Sequence, residues 1–433
     1  MKLSDLIDFN PKRPLEKGAL TPFIEMADLP EGERDVSGIG NRVFNGGGSK
    51  FKNGDTLFAR ITPCLENGKT AKVSGLPEQA VAHGSTEFIV MAAKDPGVDE
   101  DFVYYVARHP EFRAYAKGRM EGTSGRQRVS WQAISDYEIP DFSSLERSGI
   151  GSVLSSMDNL IANYRRVNQS LDAMARALFK AWFVDFEPVR AKMEGRWQRG
   201  QTQPGLPAHL YDLFPDRLVE SELGEIPEGW RHSTIGEEVT VCGGSTPSTK
   251  ESEFWEGGHH CWATPKDLSS LMFPVLLDTD RKITDVGLSK ISSGLLPVGT
   301  VLLSSRAPIG YMAIAEVPTA INQGFIAMKC DGVLPSVFVL AWCRESMDAI
   351  VGNANGSTFQ EISKSNFRPL RVVVPSDPVL TSFTRSADSL YRQMAENERE
   401  SRSLAQLRDT LLPKLISGEL RVPEAERIVG AVV

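Results

Sequence analysis

Two stretches of the chain alternate apolar and polar residues with the period of a long helix. In the first, apolar residues step by four and three between residues 150 and 182, with one polar residue, Asn168, in the series. The stripe consists of Ile150, Leu154, Met157, Ile161, Tyr164, Asn168, Leu171, Ala175, Leu178 and Trp182. Alternating steps of four and three are typical of a coiled-coil seam. At 1.5 Å per residue, the predicted helix is about 50 Å long.

The second stripe also contains an asparagine, and it shifts register near Ser401. Its members are Leu380, Phe383, Ala387, Leu390, Met394, Asn397, Ser401, Leu404, Leu407, Leu411 and Leu415. Gly418 follows and is a plausible helix stop. Two long helices with matching stripes in one chain are predicted to pack on each other. The alternative is that each is a core helix of its own domain.

Ahead of each stripe the chain repeats itself. Four segments recur in the same order, at offsets of 245, 237, 236 and 233 residues. Gly54–Arg60 resembles Gly299–Arg306, Glu87–Met91 resembles Gly324–Met328, Phe102–Arg108 resembles Phe338–Arg344, and SGRQRVS (124–130) resembles STFQEIS (357–363). Each copy mixes strand-like stretches (57–61 and 88–91; 301–303 and 371–374) with a single helix (about 99–116; about 335–350). The sequence therefore predicts two small α+β domains.

A polar passage rich in Pro and Gly, roughly Pro188–Trp230, separates the copies and is interpreted as a connector. A chain of 433 residues is too long for one ordinary hydrophobic core, so two or more domains are expected. No apolar run reaches the roughly 20 residues of a membrane helix, and the N-terminus has no apolar signal core. Five scattered cysteines favour free thiols in a reducing compartment, so a cytoplasmic protein without membrane association is expected.

The motifs of common enzymes are missing from the sequence. Six histidines and five cysteines never take metal-ligand spacing, and the HH pair of GGHHC (257–261) is interpreted as exposed or structural. The segment NGGGSK (45–50) has the composition of a phosphate-binding loop but does not match the nucleotide-binding motif. It is interpreted as a flexible loop before a strand. There is no nucleophile elbow and no dinucleotide fingerprint. These features favour a binding protein over an enzyme, with neither catalytic residues nor a metal site.

Two similar reading heads on a helical rod suit a long, repetitive ligand, and duplex DNA fits that description. Side chains that read base edges are Arg, Lys, Asn, Gln, Ser and Thr. The repeated polar loops supply these types in Arg60, Thr62, Lys69, Ser124, Arg126, Gln127, Arg128, Thr264, Lys266, Ser305, Arg306, Asn322, Gln323, Ser357, Thr358 and Gln360. The alternative for the repeated Ser and Gln is that they tie a turn to the following helix. The net charge of −8 argues against a simple basic DNA-binding domain but leaves a local footprint open.

The sequence resembles the specificity subunit of a type I restriction-modification enzyme. The motifs that carry the resemblance are LGEIPEGW (223–230), GGSTPST (243–249), WATPKDLS (262–269), SSRAPIG (304–310), INQGF (321–325), ALFKAWFVDFEPV (177–189) and LAQLRDTLLPKLISGEL (404–420). Together they cover nearly the whole chain. The first copy departs from the pattern, because it starts abruptly and has PFIEMADLP (22–30) in place of the usual Trp-containing segment.

The resemblance implies an α+β protein with two target recognition domains joined by two long antiparallel coiled-coil helices. Its expected segments are recognition domain 1 (1–143), a central helix (144–187), a linker (188–225), recognition domain 2 (226–376), a C-terminal helix (377–421) and a tail (422–433). Each domain would read half of a split DNA target. The rod would place the half-sites one to one and a half turns apart, taking about 34–36 Å per turn of DNA.

The resemblance also implies partners for a non-catalytic chain in phage defence. These are double-stranded DNA, two methylation subunits that bind S-adenosylmethionine, and restriction motor-nuclease subunits that use ATP and Mg. Coiled-coil contact or partner docking is expected of Leu154, Met157, Ile161, Leu171, Leu178, Trp182, Phe183, Leu390, Leu404, Leu411 and Leu415. Burial of Trp182, Phe183 and Phe186 against the second domain is an equal alternative. A cryptic nuclease, a protein-interaction scaffold and a related defence system that does not cut DNA also stay open.

Overall fold

The computed structural model of the chain describes residues 1–123, 125–222, 224–356 and 360–431. Contacts divide the chain into two compact units, Met1–Asn163 with Glu400–Val433, and Tyr164–Arg399. Each unit contains one α+β domain together with part of each long helix.

The α+β domain of the first unit has eight short strands and four helices in its described residues. The strands are β1 (Ile7–Phe9), β2 (Leu20–Ile24), β3 (Gly40–Val43), β4 (Ser49–Phe51), β5 (Thr56–Ala59), β6 (Thr70–Lys72), β7 (Ala82–Gly84) and β8 (Phe88–Ala93). The helices are α1 (Leu3–Leu6), α2 (Glu100–Arg108), α3 (Pro110–Lys117) and α4 (Trp131–Ser135).

These strands form two sheets, in the orders β1-β8-β5-β6 and β3-β2-β7-β4. All four residues of β5 are buried, because helix α2 covers one face of its sheet and the second sheet packs nearby. The single helix predicted for residues 99–116 is wrong. The chain breaks at His109, because Pro110 lacks the amide that would continue α2 and instead takes the first position of α3.

The first long helix, α5 (Ser144–Phe183), leads into a segment that holds α6 (Glu187–Met193), a 3-10 turn (Ala208–Leu213), β9 (Leu218–Ser221) and β10 (Gly224–Pro227). This segment was expected to be a connector. The structure instead buries its apolar side chains, with Trp197 only 1% exposed and Phe214 packed edge-on against Trp182. The turn residues seen in the sequence therefore mark bends within a packed extension of the second unit.

The α+β domain of the second unit repeats the plan of the first. Its strands are β11 (Arg231–Thr234), β12 (Thr240–Gly243), β13 (His260–Ala263), β14 (Val275–Leu276), β15 (Arg281–Ile283), β16 (Val301–Ser305), β17 (Ile309–Ala315), β18 (Thr319–Ile321), β19 (Phe325–Lys329) and β20 (Arg371–Val374). Its helices are α7 (Ile235–Glu238), α8 (Pro265–Ser269), α9 (Asp285–Leu288), α10 (Ser336–Glu345), α11 (Met347–Gly352) and α12 (Lys364–Phe367).

Strand pairing confirms the internal repeat. Strand β13 pairs antiparallel with β15 and parallel with β18, as β2 pairs with β3 and β7. Likewise β16 lies between β19 and β17, as β5 lies between β8 and β6. The helix predicted near 335–350 is again two helices, with the break at Ser346.

The second long helix, α13 (Asp377–Ser417), pairs with α5 inside each unit, and α14 (Val422–Gly430) follows it. In the second unit Asn168 contacts Asn397, and the Phe179 ring lies 5.9 Å from that of Phe383. In the first unit Asp158 contacts Arg408. Partner numbers fall along α13 as they rise along α5, so the helices are antiparallel. Among the described residues, no helix is long and apolar enough to cross a membrane.

Candidate nucleic-acid interface

The loop of the first repeated heptapeptide is tied to the end of β5. The Thr62 amide donates to the Gln127 carbonyl at 3.0 Å, and the Thr62 hydroxyl lies 3.1 Å from both the nitrogen and the oxygen of Gln127. The amide of Val129, a fully buried residue, donates to the Arg60 carbonyl at 3.0 Å. The backbone of residues 125–129 is therefore held in place, and the neighbouring side chains project from a fixed position.

Two arginines on this loop differ in availability. Arg128 is bound to Glu87, with its Nε and Nη2 at 2.9 and 2.7 Å from Oε1. This hydrogen bond and the charge of Glu87 raise the pKa of Arg128. Arg126 is exposed, and within the described part of the chain no group pairs with its guanidinium. Arg126 is thus free to contact a ligand at no cost in broken bonds, whereas Arg128 would have to exchange its carboxylate partner.

The second heptapeptide occupies the equivalent place in the second unit. The Ile362 amide donates to the Ser305 carbonyl at 3.0 Å, and Glu361 forms a bridge with Arg306. In the first unit the matching bridge joins Arg128 to Ile61. One loop position therefore carries an arginine in one copy and a glutamate in the other, and each charge has a local partner.

These contacts correct the alignment of two candidate readers. Sequence similarity placed Arg60 opposite Arg306. The hydrogen bonds instead align Arg60 with Ser305 and Ile61 with Arg306, since the Arg60 amide donates to Glu87 and the Ser305 amide to Gly324. Adjacent residues of a strand project to opposite faces. Arg60 and Arg306 therefore do not occupy equivalent positions.

The last serine of each heptapeptide caps a helix. Ser130 Oγ accepts from the Ala133 amide at 3.2 Å, and Ser363 Oγ accepts from the Asn366 amide at 3.2 Å. The structural alternative is confirmed for these two serines. The candidates Ser124, Ser357 and Thr358 lie outside the described residues.

Several predicted readers are engaged in local contacts. Ser305 is 3% exposed, so its prediction as a direct base reader is wrong. The Thr264 hydroxyl donates to Asp267 at 2.6 Å, which orders the start of α8. Asn322 Oδ1 accepts from the Gly324 amide at 2.8 Å, and Lys69 Nζ donates to the Met26 carbonyl at 3.0 Å. These side chains shape the loops.

The remaining candidates of the second unit lie at its surface. Gln323 accepts a hydrogen bond from the Thr246 hydroxyl at 2.5 Å, and Lys266 lies 3.4 Å from Asp280. Gln360 is exposed, and the Arg306 guanidinium lies 3.7 Å from the Glu361 carboxylate. For Lys266, Arg306, Gln323 and Gln360, contact with DNA stays a prediction.

The aromatic residues at the end of α5 are buried, which confirms the alternative to partner docking. Trp182 is 2% and Phe183 7% exposed. The Phe183 ring lies 4.9 Å from that of Phe383 and 5.0 Å from that of Phe338. Docking of a partner directly on these two rings is therefore wrong, because the second unit already covers them. The other expected seam residues, Leu154, Met157, Ile161, Leu171, Leu178, Leu390, Leu404, Leu411 and Leu415, are buried or partly buried.

The histidine pair singled out in the sequence lies beside an aspartate. His260 Nε2 is 2.8 Å from Asp285 Oδ1, and His259 Nε2 is 3.7 Å from the same oxygen. The hydrogen bond from His260 lowers the pKa of Asp285. The three donor atoms lie within 4.8 Å of one another, yet Asp285 is 80% exposed. This surface hydrogen bond accounts for the arrangement.

Sequence reasoning missed a group of cations beside Arg60. Lys12, Arg13 and Lys50 line one cleft with it in the first unit. Their signals were present as the KR pair of NPKRP and the lysine that ends NGGGSK. Because these segments lie far apart in the sequence, only the fold brings them together: β1, β8 and β5 share one sheet, and β4 of the other sheet, which carries Lys50, packs near β8.

Comparisons with known proteins first define the class of the second domain. Residues 227–379 match the family described as "Type I restriction modification DNA specificity domain". This range runs from the end of β10 into the first turn of α13, so it covers the whole second α+β domain.

Whole-chain comparisons extend this result. The chain is 26% identical over 409 residues to the type I restriction enzyme HindI specificity subunit of Haemophilus influenzae, covering 86% of this chain and 87% of that protein. It is 36% identical over 188 residues to the MjaIX specificity subunit of Methanocaldococcus jannaschii, covering 43% of each. The crystal structure of the S subunit from M. genitalium shares the fold, with a TM-score of 0.56 at 17% identity, covering 96% of this chain and 95% of that one. These findings confirm the resemblance of the chain to the type I restriction-modification specificity subunits.

Proposed function

We propose that this chain reads a bipartite double-stranded DNA target, one half-site with each α+β domain, as a non-catalytic subunit. The supporting observation is the equivalence of the two tethered loops. Both are held by the same backbone bonds, and they differ in the side chains they present at 126, 128 and 361. A common scaffold with different exposed side chains suits the recognition of two different short sequences.

The proposal includes the partners expected from the sequence. Two methylation subunits would bring S-adenosylmethionine, and restriction motor-nuclease subunits would bring ATP and Mg. Such partners would supply much of the contact with DNA phosphates, which makes the chain's net charge of −8 compatible with DNA binding. The cytoplasmic location stays a prediction.

Exchange of loop residues between the two domains tests the reading function. Gly125-Arg-Gln-Arg128 would be replaced by the Thr-Phe-Gln-Glu of residues 358–361, which hold the matching positions in the sequence of the second heptapeptide. The complex with its methylation subunits would then select targets from a random DNA library. We expect one half-site to change while the other and the spacer stay constant. The reciprocal exchange should change the other half-site, and a selected motif untouched by both exchanges would refute the proposal.

We further propose that the long helices set the spacing of the half-sites. Helix α5 has 40 residues and α13 has 41. Seven residues inserted in each would lengthen the pair by about 10 Å, which corresponds to about three base pairs at 3.4 Å per step. Library selection should then return the same half-sites with a longer spacer. Altered half-sites with the original spacer would show that the helices do not set the distance.

A further inference from the structure

A basic cleft of about 520 Å³ opens in the first α+β domain. Its walls are the segment after β1, the glycine loop before β4, and the ends of β5 and β8. Lys12, Arg13, Lys50 and Arg60 line the cleft, and no carboxylate does so in the part of the chain that the structure describes. Four cations around one opening favour an anionic ligand.

Two of these cations are held by other contacts. Arg13 forms a bidentate ion pair with Asp55, which is 2% exposed, and also donates to the Lys50 carbonyl at 3.2 Å. Lys50 Nζ donates to the Arg13 carbonyl at 3.1 Å and lies 5.1 Å from the centre of the Phe44 ring. These contacts position Arg13 and Lys50 in the wall, where Asp55 balances the charge of Arg13 and the ammonium group of Lys50 meets only a neutral carbonyl and a ring.

The other two cations have capacity to spare. Arg60 Nε is buried without a hydrogen-bond partner among the described residues. An unpaired buried donor is destabilising unless a ligand supplies the acceptor. Lys12 is exposed at the rim, and the described part of the chain holds no partner for its ammonium group. A ligand with oxygen acceptors would satisfy both groups at once.

The glycine loop lets the walls approach each other. Gly46, Gly47 and Gly48 have φ of 95°, 80° and 74°, which favour glycine. A Cβ at Gly48 would lie 2.4 Å from the Gly84 carbonyl oxygen. The phosphate-suited segment NGGGSK therefore packs against β7 and delivers Ser49 and Lys50 to the cleft.

The cleft adjoins the candidate reading loop. The Arg60 carbonyl accepts from Val129, and the Arg60 amide donates to Glu87, the residue that binds Arg128. Thr86, next to Glu87, lies in the cleft wall. An anion in the cleft would thus sit beside Arg126 and Gln127. In duplex DNA, phosphates lie next to the bases that such a loop would read.

We propose that this cleft binds a phosphodiester group of the DNA backbone beside the half-site read by the first domain, with Lys12 and Arg60 as its main donors. This inference rests on the proposed function and assigns the two residues a positioning role. A phosphate contact strengthens binding to all sequences and carries no base preference.

Salt dependence tests this role in the complex with methylation subunits. The logarithm of the binding constant falls as the logarithm of the salt concentration rises, and loss of one phosphate contact makes this negative slope shallower by about 0.9. We expect this decrease in Lys12→Ala and in Arg60→Gln, with the selected motif unchanged. Lys117→Ala is the control, because Lys117 is exposed outside the cleft and pairs with Glu66 at 2.8 Å. Neutral methylphosphonate linkages placed one at a time should locate a position that weakens the wild type but not Lys12→Ala.

The results that would overturn the phosphate site differ from the result that would overturn the proposed function. An unchanged slope in Lys12→Ala, a surface change that leaves the core intact, overturns the inference alone. So does a relaxed motif with a constant slope, which would indicate base reading. Binding of inorganic phosphate that Lys12→Ala abolishes without affecting DNA binding would mark a free-anion site and also overturn it. Failure of the wild-type complex to select any motif would overturn the proposed function itself.

Discussion

Asn397 donates a hydrogen bond from its side-chain amide to the side-chain oxygen of Asn168 at 2.7 Å, between the two long helices. Both residues are nearly fully buried. Asn168 also donates to the Met394 carbonyl at 3.3 Å and to Glu398 at 3.1 Å. A buried polar pair in an apolar seam disfavours every other register of the two helices, because the polar groups would then be buried without their hydrogen-bond partners. The pair therefore specifies how α5 and α13 align.

Removing one member of this pair should destabilise the second unit. Asn168→Leu leaves the Asn397 amide buried without its acceptor, at a cost of about 1–3 kcal/mol. Asn168→Leu with Asn397→Leu should recover most of that loss, because both polar groups are then gone. Urea denaturation followed by circular dichroism measures the cycle. Exposed Gln169→Leu is the control, and additive losses in the double variant would contradict a specific pairing.

The ion pair of Asp158 and Arg408 makes a second prediction, in the first unit. The two side chains are 4% and 3% exposed, and Asp158 also accepts from the Tyr105 hydroxyl at 2.5 Å. Burial and the charge of Asp158 raise the pKa of Tyr105. Asp158→Asn removes the buried counter-ion of Arg408, leaves it only the exposed carboxylate of Asp409, and should cost up to about 3–5 kcal/mol.

Asp409→Asn is the matched control for this change. Asp409 also binds Arg408, at 2.9 Å, but is 54% exposed, so its loss should cost about 1 kcal/mol or less. Denaturant midpoints of the two variants give the comparison. Equal losses in the free energy of unfolding would show that the buried pair stabilises the unit no more than the exposed pair does.

Arg126 is the predicted base reader with the most freedom. Arg126→Ala should reduce discrimination at one base pair of one half-site by about 1–3 kcal/mol. Competition binding with single-base target variants measures this change. Arg119→Ala is the control, because Arg119 is also exposed but stacks on the Tyr115 ring at 3.3 Å. A uniform loss of affinity for all sequences would instead assign Arg126 to the phosphate backbone.

A buried histidine makes the first unit sensitive to mild acid. Burial and, less strongly, the charge of Arg42 lower the pKa of His83 from its ordinary value of 6.5. The unfolded chain therefore takes up a proton near pH 6.5, while the folded chain does so only at lower pH. The stability from neutral His83 is present above pH 6.5 and is lost as the pH falls below it. Denaturation at pH 7.5 and 5.5 should show a larger loss in the wild type than in His83→Gln, and equal losses would contradict this.

The sequence predicted the periodic parts of this fold well. The two seams and the repeated strands follow from apolar spacing that local geometry determines, and both asparagines stood out as interruptions. Their hydrogen bond was not predictable, because it depends on how two distant helices align. Asp158 and Arg408 were missed for a related reason, since isolated charges on a helix read as surface residues until their partner is known.

The candidate site was predicted less evenly. The types Arg, Gln and Ser in the repeated loops were recognised, but the burial of Ser305 depends on tertiary contacts. The contact of Thr264 with Asp267 is local and was missed, whereas the capping role of Ser363 follows the alternative drawn from the sequence. The misalignment of Arg60 with Arg306 arose because the two matching segments differ by one residue in length. In a strand, a one-residue shift moves a side chain to the other face.

Mapping methylated bases in a genome that carries this chain and its methylation subunits is a direct test of whether the chain reads a bipartite DNA target. We expect an interrupted motif of two short half-sites with a non-specific spacer, which loses definition in one half only when Arg126 is replaced by alanine. A single uninterrupted motif, or methylation that does not depend on this chain, would contradict it.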